Sequence, residues 1–213
     1  VIPSYCITLA EEPWRLLDAQ QEFERAKVAP KIVSAFHGTK LGLHATSPHR
    51  QLPSGTGEFL TFEEVGCALS HLTVLRMALA TEEPEFLVFE DDVKLPEDFW
   101  DRFHQFRDAC QDAEIGQLSY VGEKGKPAMA FSNKAQRIFY PFSTACMWWT
   151  AKAAAFAVQA CYPVSFPYDI LLIYRVFPFV KHVAAVPQLG SEKSFGQDWP
   201  STIQEPGKLF KVL

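Results

Sequence analysis

Three carboxylates stand side by side in the stretch Glu85-Phe-Leu-Val-Phe-Glu-Asp-Asp-Val-Lys-Leu-Pro-Glu-Asp-Phe-Trp100. Glu90, Asp91 and Asp92 close a short apolar run, Phe86 to Phe89, that follows Pro84 and reads as a buried strand. Adjacent acids at a strand end repel one another, and the cluster is costly unless a cation or a hydrogen-bond network neutralises it. Open α/β sheets place their ligands at the carboxyl ends of parallel strands. Oxygen-only donors suit Mg²⁺ or Mn²⁺ rather than zinc. On an extended chain Glu90 and Asp92 point one way and Asp91 the other. The chemistry this predicts is a divalent metal held beside a diphosphate. A solvated acidic turn that caps the next helix is the competing reading, and spacing alone does not separate the two.

Such a site needs a scaffold, and the chain can build one. Its 213 residues suit one domain, or one domain with a small appendage. Hydrophobic residues make up 48%, enough for a sizeable core. Phenylalanine occurs 18 times, which points to an aromatic core or an aromatic-lined pocket. A formal charge of -5 gives no footprint for non-specific nucleic-acid binding. The odd number of cysteines, with no C-x-x-C, predicts buried free thiols in a reducing compartment. No apolar run approaches the ~20 residues of a membrane span. A soluble, cytoplasmic-type protein is expected.

The order of elements supports an α/β sheet. Ile2 to Leu9 reads as a strand, Trp14 to Ala29 as a loose amphipathic helix, and Lys31 to Phe36 as a second strand ended by His37-Gly38. Residues 41–60 hold no clear period and read as a long loop. Thr61 to Ala80 is a strong helix, opened by a capping-box pattern of Thr61 with Glu64 and carrying Ser70-His71. After the acidic strand, Pro96 should open a helix with Glu97 and Asp98 in its first turn, running to Ala113. Gln117 to Gly122 looks like a short strand. Residues 122–134 form a glycine- and lysine-rich loop. Ala145 to Thr150 is an apolar strand, Lys152 to Cys161 a helix, Phe179 to Val186 a late strand, and Pro187 to Leu213 a tail.

Glu64-Val-Gly-Cys-Ala-Leu-Ser-His71, followed by a helix and then Phe86-Leu-Val-Phe-Glu-Asp-Asp-Val93, resembles the core of family 25 glycosyltransferases, the group of lipopolysaccharide and collagen galactosyltransferases. Ser143-Thr-Ala-Cys-Met-Trp-Trp-Thr150, Pro167-Tyr-Asp169, and Val186-Pro-Gln-Leu189 with Ser201-Thr-Ile203 match later parts of that pattern in the right order. The chain departs from the family in two places. The family's arginine-rich turn after its first strand is here Ala10-Glu-Glu-Pro-Trp-Arg15, with a single arginine. His37 stands where an acid usually precedes Gly38. The segments at 36–43 and 53–57 look more like phage-encoded relatives, some of which glycosylate modified DNA bases.

The resemblance implies a single GT-A-type nucleotide-binding domain over residues 1–203, with a mostly parallel central sheet flanked by helices and a tail at 204–213. It implies Mn²⁺ or Mg²⁺ and a nucleotide-sugar donor, most often a UDP-hexose. Asp92 is then the expected direct metal ligand, Glu90 a second ligand or its support, and Asp91 a ribose, metal or catalytic contact. Trp14, Arg15, His37, Gly38, Ser70 and His71 are the donor-side candidates, with Trp14 able to stack on a base. His71 also reads as a histidine packed at the core edge. Asp169 is the candidate base for an incoming hydroxyl, or else a helix N-cap. His182 could complete the metal site. The expected acceptor is a saccharide such as lipopolysaccharide. A hydroxymethylated DNA base is the alternative, favoured only if Lys124, Lys126, Lys134 and Arg137 form a basic face. A catalytically inactive glycan- or nucleotide-binding module remains a third reading.

Overall fold

The computed structural model describes residues 2–42, 60–122 and 128–194. The chain opens β1 (Ser4–Thr8), α1 (Pro13–Arg25), β2 (Lys31–Ser34), as the apolar pattern predicts. A 3₁₀ turn at Gly38–Lys40 precedes α2 (Phe62–Leu79) and β3 (Glu85–Glu90). Then come β4 (Val93–Lys94), α3 (Phe99–Ala109), β5 (Ile115–Gln117), β6 (Val121–Gly122), β7 (Ala128–Ala130), β8 (Ala135–Ile138) and β9 (Pro141–Phe142). The described chain ends with β10 (Cys146–Thr150), α4 (Ala151–Ala160), α5 (Tyr168–Arg175), β11 (His182–Ala185) and β12 (Ser191–Glu192).

Eight strands form one sheet in the order β2-β1-β3-β10-β5-β11-β8-β7. β1 is parallel to both its neighbours, β2 and β3, and β5 is parallel to β11. β10 is antiparallel to β3 and β5, and β8 to β11 and β7, so these two strands run against the rest. The sheet is therefore mixed but largely parallel in direction. Two-stranded ribbons, β12 with β4 and β6 with β9, stand apart from it.

Side chains alternate across a strand, and β3 shows what that does here. Phe86 and Val88 join Tyr5, Ile7, Met147 and Trp149 under α2, α4 and α5. Leu87 and Phe89 join Cys6, Cys146 and Trp148 against α1 and α3. Buried on both faces, β3 reads as an unbroken apolar run rather than an alternating one. Phe89 is fully buried and packs between Phe23 of α1, with ring centres 5.4 Å apart, and Phe99 of α3, at 5.8 Å. The abundance of phenylalanine serves this core. All five cysteines are free thiols. No helix among the described residues is long and apolar enough to cross a membrane.

Four expectations are corrected. The third helix starts at Phe99, not Pro96, because Pro96 C=O accepts from Phe99 N–H in a turn; Asp98 pairs with Arg102 at 2.8 Å instead of capping. The loop expected at 122–134 contains β7, which pairs with β8. The tail expected from Pro187 contains β12, which pairs with β4. Asp169 is not the N-cap of α5; Pro167 holds that position and Asp169 lies in the first turn. Residues 195–213, which include the expected boundary near 203, lie outside the described residues.

Phe89→Ala should cost about 3–5 kcal/mol, the usual range for deleting a fully buried aromatic ring. Urea unfolding would show this as a lower midpoint at unchanged slope.

Candidate active site

The parity that sorts the core also sorts the acids. Glu90 shares the face of Phe86 and Val88 and meets α2, where His71 Nε2 lies 3.0 Å from its Oε1. The tautomer carrying hydrogen on Nε2 donates this bond. Thr144 Oγ1 donates to the same oxygen at 2.6 Å. His71 is itself buried and stacked on Tyr168 of α5, with ring centres 4.4 Å apart. Burial alone would raise the Glu90 pKa, but His71 and Thr144 bring it below the ordinary carboxylate value.

The Gly-Cys-x-x-Ser-His pattern can be read physically from its contacts. A Cβ at Gly38 would stand 2.0 Å from the Phe62 carbonyl oxygen, and one at Gly66 would stand 2.6 Å from that of Phe36. Only glycine lets the backbone after β2 lie this close to α2. Ser70 then fastens the contact: its hydroxyl donates to Gly66 C=O at 2.7 Å and accepts from Phe36 N–H at 2.8 Å. One residue on, His71 is aimed at Glu90. Gly38 and Ser70, expected as donor contacts, thus also hold the β2 end against the helix that carries His71.

Asp91 points the other way, into α1. Arg15 Nε lies 3.0 Å from both Asp91 carboxylate oxygens, and Nη2 lies 2.5 Å from Oδ1. Both residues are buried. Burial works against the Arg15 charge, and the bond to Asp91 more than restores it. The lone arginine of the Ala10–Arg15 turn is therefore structural as well as local to the site. Its partner Asp91 has both oxygens engaged.

Asp92 is left without such a partner. It is 6% exposed, and its Oδ1 is buried with no hydrogen-bond partner. Burial and the charge of Glu90 raise its pKa to about 6. The ribbon supplies a neighbour that the sequence did not suggest, Glu192. Burial, then the charges of Asp92, Glu90 and Asp169, push the Glu192 pKa to about 10. Asp169 is likewise raised, first by burial, against backbone N–H bonds from Ile170 and Ser143. Ser143 has φ +82°, a costly value for a residue with a side chain. Gln117 Nε2 grips its carbonyl at 2.5 Å, and Thr144 follows it directly onto Glu90.

Arg15, His37, Gly38, Ser70, His71, Glu90 and Asp91 line one cavity of about 290 Å³, together with Ile7–Leu9, Ala35 and Phe36. That volume is at the small end of small-molecule sites, ~300–1,000 Å³. The cavity opens where β1, β2 and β3 end, as open α/β sheets predict. Trp14 is not in its lining; the ring is 46% exposed, with the Arg15 guanidinium 5.8 Å away. His182 requires a correction. It is level with Ile115 and, through β5 and β10, with Phe86, four residues before Glu90. That puts it roughly 13 Å down the strands (~3.3 Å per residue) and three strands (~4.8 Å each) across from the acids. It stacks on Phe177 and bonds Gln117 instead, and burial lowers its pKa to about 3. Lys124 and Lys126 of the proposed basic face lie outside the described residues.

Glu192 had no sequence signal, since it lies in a two-residue strand. Its one available clue was chemical: an acid between Ser191 and Lys193 in a segment expected to be tail.

Comparison with known proteins now adds to this geometry. A family model described as "Glycosyltransferase family 25 (LPS biosynthesis protein)" matches residues 1–169. A human protein named "Inactive glycosyltransferase 25 family member 3" is 30% identical over 131 residues, covering 56% of this chain and 21% of that protein. Its mouse counterpart is 29% identical over 131 residues, with 56% and 22% covered. The chain thus matches about a fifth of the length of these relatives. In fold, it resembles a glycosyltransferase involved in glycosylation of the major capsid of PBCV-1, with a TM-score of 0.50 at 12% identity over 86% of this chain and 80% of that one.

The raised acids set the sign of a pH dependence. Asp92 and Glu192 keep protons in the folded protein at pH values where the unfolded chain has released them. The folded state binds more protons, so stability falls as pH rises, from about 4 through about 6 for Asp92 and on toward about 10 for Glu192. Thermal unfolding of EDTA-treated protein should show a melting temperature that drops between about pH 5 and pH 9. The drop should be smaller in Glu192→Gln. Equal slopes in the two proteins would refute the assignment.

Proposed function

We propose, since this chain belongs to glycosyltransferase family 25, that it transfers a hexose from a nucleotide-sugar donor, a UDP-sugar, to a hydroxyl acceptor. The observation that carries this reading is the convergence of the β1, β2 and β3 ends and the α2 histidine on one cavity, with a buried, unpartnered carboxylate oxygen on Asp92, the residue that follows the cavity-lining Asp91. The nucleoside would lie among residues 7–9 and 35–38. The sugar diphosphate would run toward Asp92.

The residues present fit a hard divalent cation. The acids offer oxygen only, and Asp92 Oδ1 has a lone pair that no protein group uses. Glu90 Oε1 and both Asp91 oxygens are already engaged. Asp92 is therefore the ligand in this reading, Glu90 braces the strand end against α2, and Asp91 fixes α1. When bound, Mn²⁺ or Mg²⁺ supplies positive charge opposite the negative charge that develops on the departing diphosphate. Asp169, its pKa raised by burial, would accept the proton of the incoming hydroxyl. A saccharide acceptor, in line with the family description, is favoured over a base in DNA, because the chain carries a net charge of -5.

A second reading is a nucleotide- or glycan-binding module without turnover. It is supported by the names of the human and mouse relatives, both called inactive.

The separating experiment is release of UDP from a panel of UDP-sugars with Mn²⁺, with and without EDTA. Release that is abolished by EDTA and reduced about 10²-fold or more in Asp92→Ala is expected, the scale on which preorganised electrostatic groups act. UDP binding without release from any UDP-sugar supports the inactive module. The absence of UDP binding in calorimetry overturns the donor assignment. Asp169→Asn should keep UDP binding while losing transfer to the acceptor; unchanged transfer would reduce Asp169 to a residue of the first helical turn.

A further inference from the structure

The backbone position of Glu192 is fixed by strand pairing. β12 pairs with β4 so that Glu192 is opposite Val93, the residue after Asp92. The next N–H, that of Lys193, donates to the Asp92 carbonyl at 2.8 Å. Before the ribbon, Leu189 and Gly190 both donate to Leu118 C=O, at 2.8 and 3.1 Å, which anchors its entry to the end of β5. On its far side Lys193 Nζ is turned to Asp18, with Glu22 at 3.9 Å, so the ribbon is also tied to α1. Facing Val93 and followed by the Lys193 N–H on Asp92 C=O, Glu192 is a neighbour of Asp92 across the ribbon.

Like charges are not gathered in this way at random. Glu90 and Asp91 have specific protein partners, whereas Asp92 Oδ1 is buried and unpartnered. Among the described residues no three His, Cys, Asp or Glu side chains form a ready-made metal cage. A cation held here would take one or two carboxylates from the protein and complete its shell with substrate phosphates and water.

We infer that Glu192 is the second carboxylate of the cation site, forming with Asp92 a two-residue seat that is completed by the diphosphate of the donor. The inference rests on reading the site as a nucleotide-sugar centre. It replaces Glu90 by Glu192 as the second ligand.

Mn²⁺ binding in the presence of UDP tests it, followed by calorimetry and by loss of the free Mn²⁺ EPR signal, with no turnover required. Wild-type protein should bind. Glu192→Gln should weaken Mn²⁺ binding about 10- to 100-fold, the range found for groups that support a metal site. Its melting temperature without metal should be unchanged or higher, so that the loss is not unfolding. Glu192→Asp, which keeps the charge on a shorter arm, should retain measurable binding. Wild-type Mn²⁺ affinity in Glu192→Gln, with a loss in Asp92→Asn, would overturn the inference and leave the donor site intact. No Mn²⁺ binding by the wild type with UDP would overturn both.

Discussion

Three adjacent carboxylates at the end of one buried strand cannot be neutralised by one neighbour, and much of this structure follows from that constraint. Alternation along β3 sends Glu90 and Asp91 to opposite faces. Each is then met by a different layer: Glu90 by His71 of α2 and Thr144 before β10, Asp91 by Arg15 of α1. Asp92 follows after the strand has ended, and the β4–β12 ribbon closes over it. The acids repel one another, and their separate partners draw both helical layers and the ribbon to a single point of the sheet.

Such contacts are weak evidence for stability and strong evidence for position. A buried ion pair such as Arg15–Asp91 gains little over well-packed apolar residues, because desolvation offsets most of the Coulomb attraction. Its geometry, however, is specific. Two forks of a guanidinium on one carboxylate fix both distance and direction. The strained Ser143 belongs to the same economy of position. Its φ of +82° costs about 1–3 kcal/mol. Gln117, the Asp169 carboxylate and Ala145 hold its backbone and side chain in place, and the result is a Thr144 hydroxyl fixed on Glu90. The core around Phe89 and Trp149 gives the rigidity against which these polar contacts are set.

What the sequence made legible was whatever depends on local pattern. The apolar run, the opposite parity of Glu90 and Asp91, and the Thr61–Glu64 capping box all follow from spacing within a few residues, and all are present. The grouping of His37, His71, Glu90 and Arg15 on one cavity was anticipated from family resemblance. What stayed hidden depends on register between distant segments. His182 looked available as a ligand because its place is set by pairing with Ile115, which no periodicity encodes. The bond from Phe36 N–H to the Ser70 hydroxyl, 2.8 Å long, was hidden as well, because nothing local reveals it. Glu192 looked like tail because a strand of two residues carries no period at all.

This division of labour changes what the acidic motif means. Its three letters do not have equal standing. Glu90 and Asp91 are bound to His71, Thr144 and Arg15, and would be needed to shape the strand end whether or not any reaction took place. Presence of the motif therefore speaks first for the fold and the cavity. The third position differs from the first two, since Asp92 has a buried oxygen that protein groups leave open. Within a family that includes proteins named inactive, two chains could share the whole motif and differ in turnover through the ribbon alone. A residue at 192 without a carboxylate would keep every contact of Glu90 and Asp91 and still remove half of the cation seat proposed here. Position 192 of that proposed seat lies about a hundred residues from the motif in sequence, and it is adjacent in space because β12 pairs with β4.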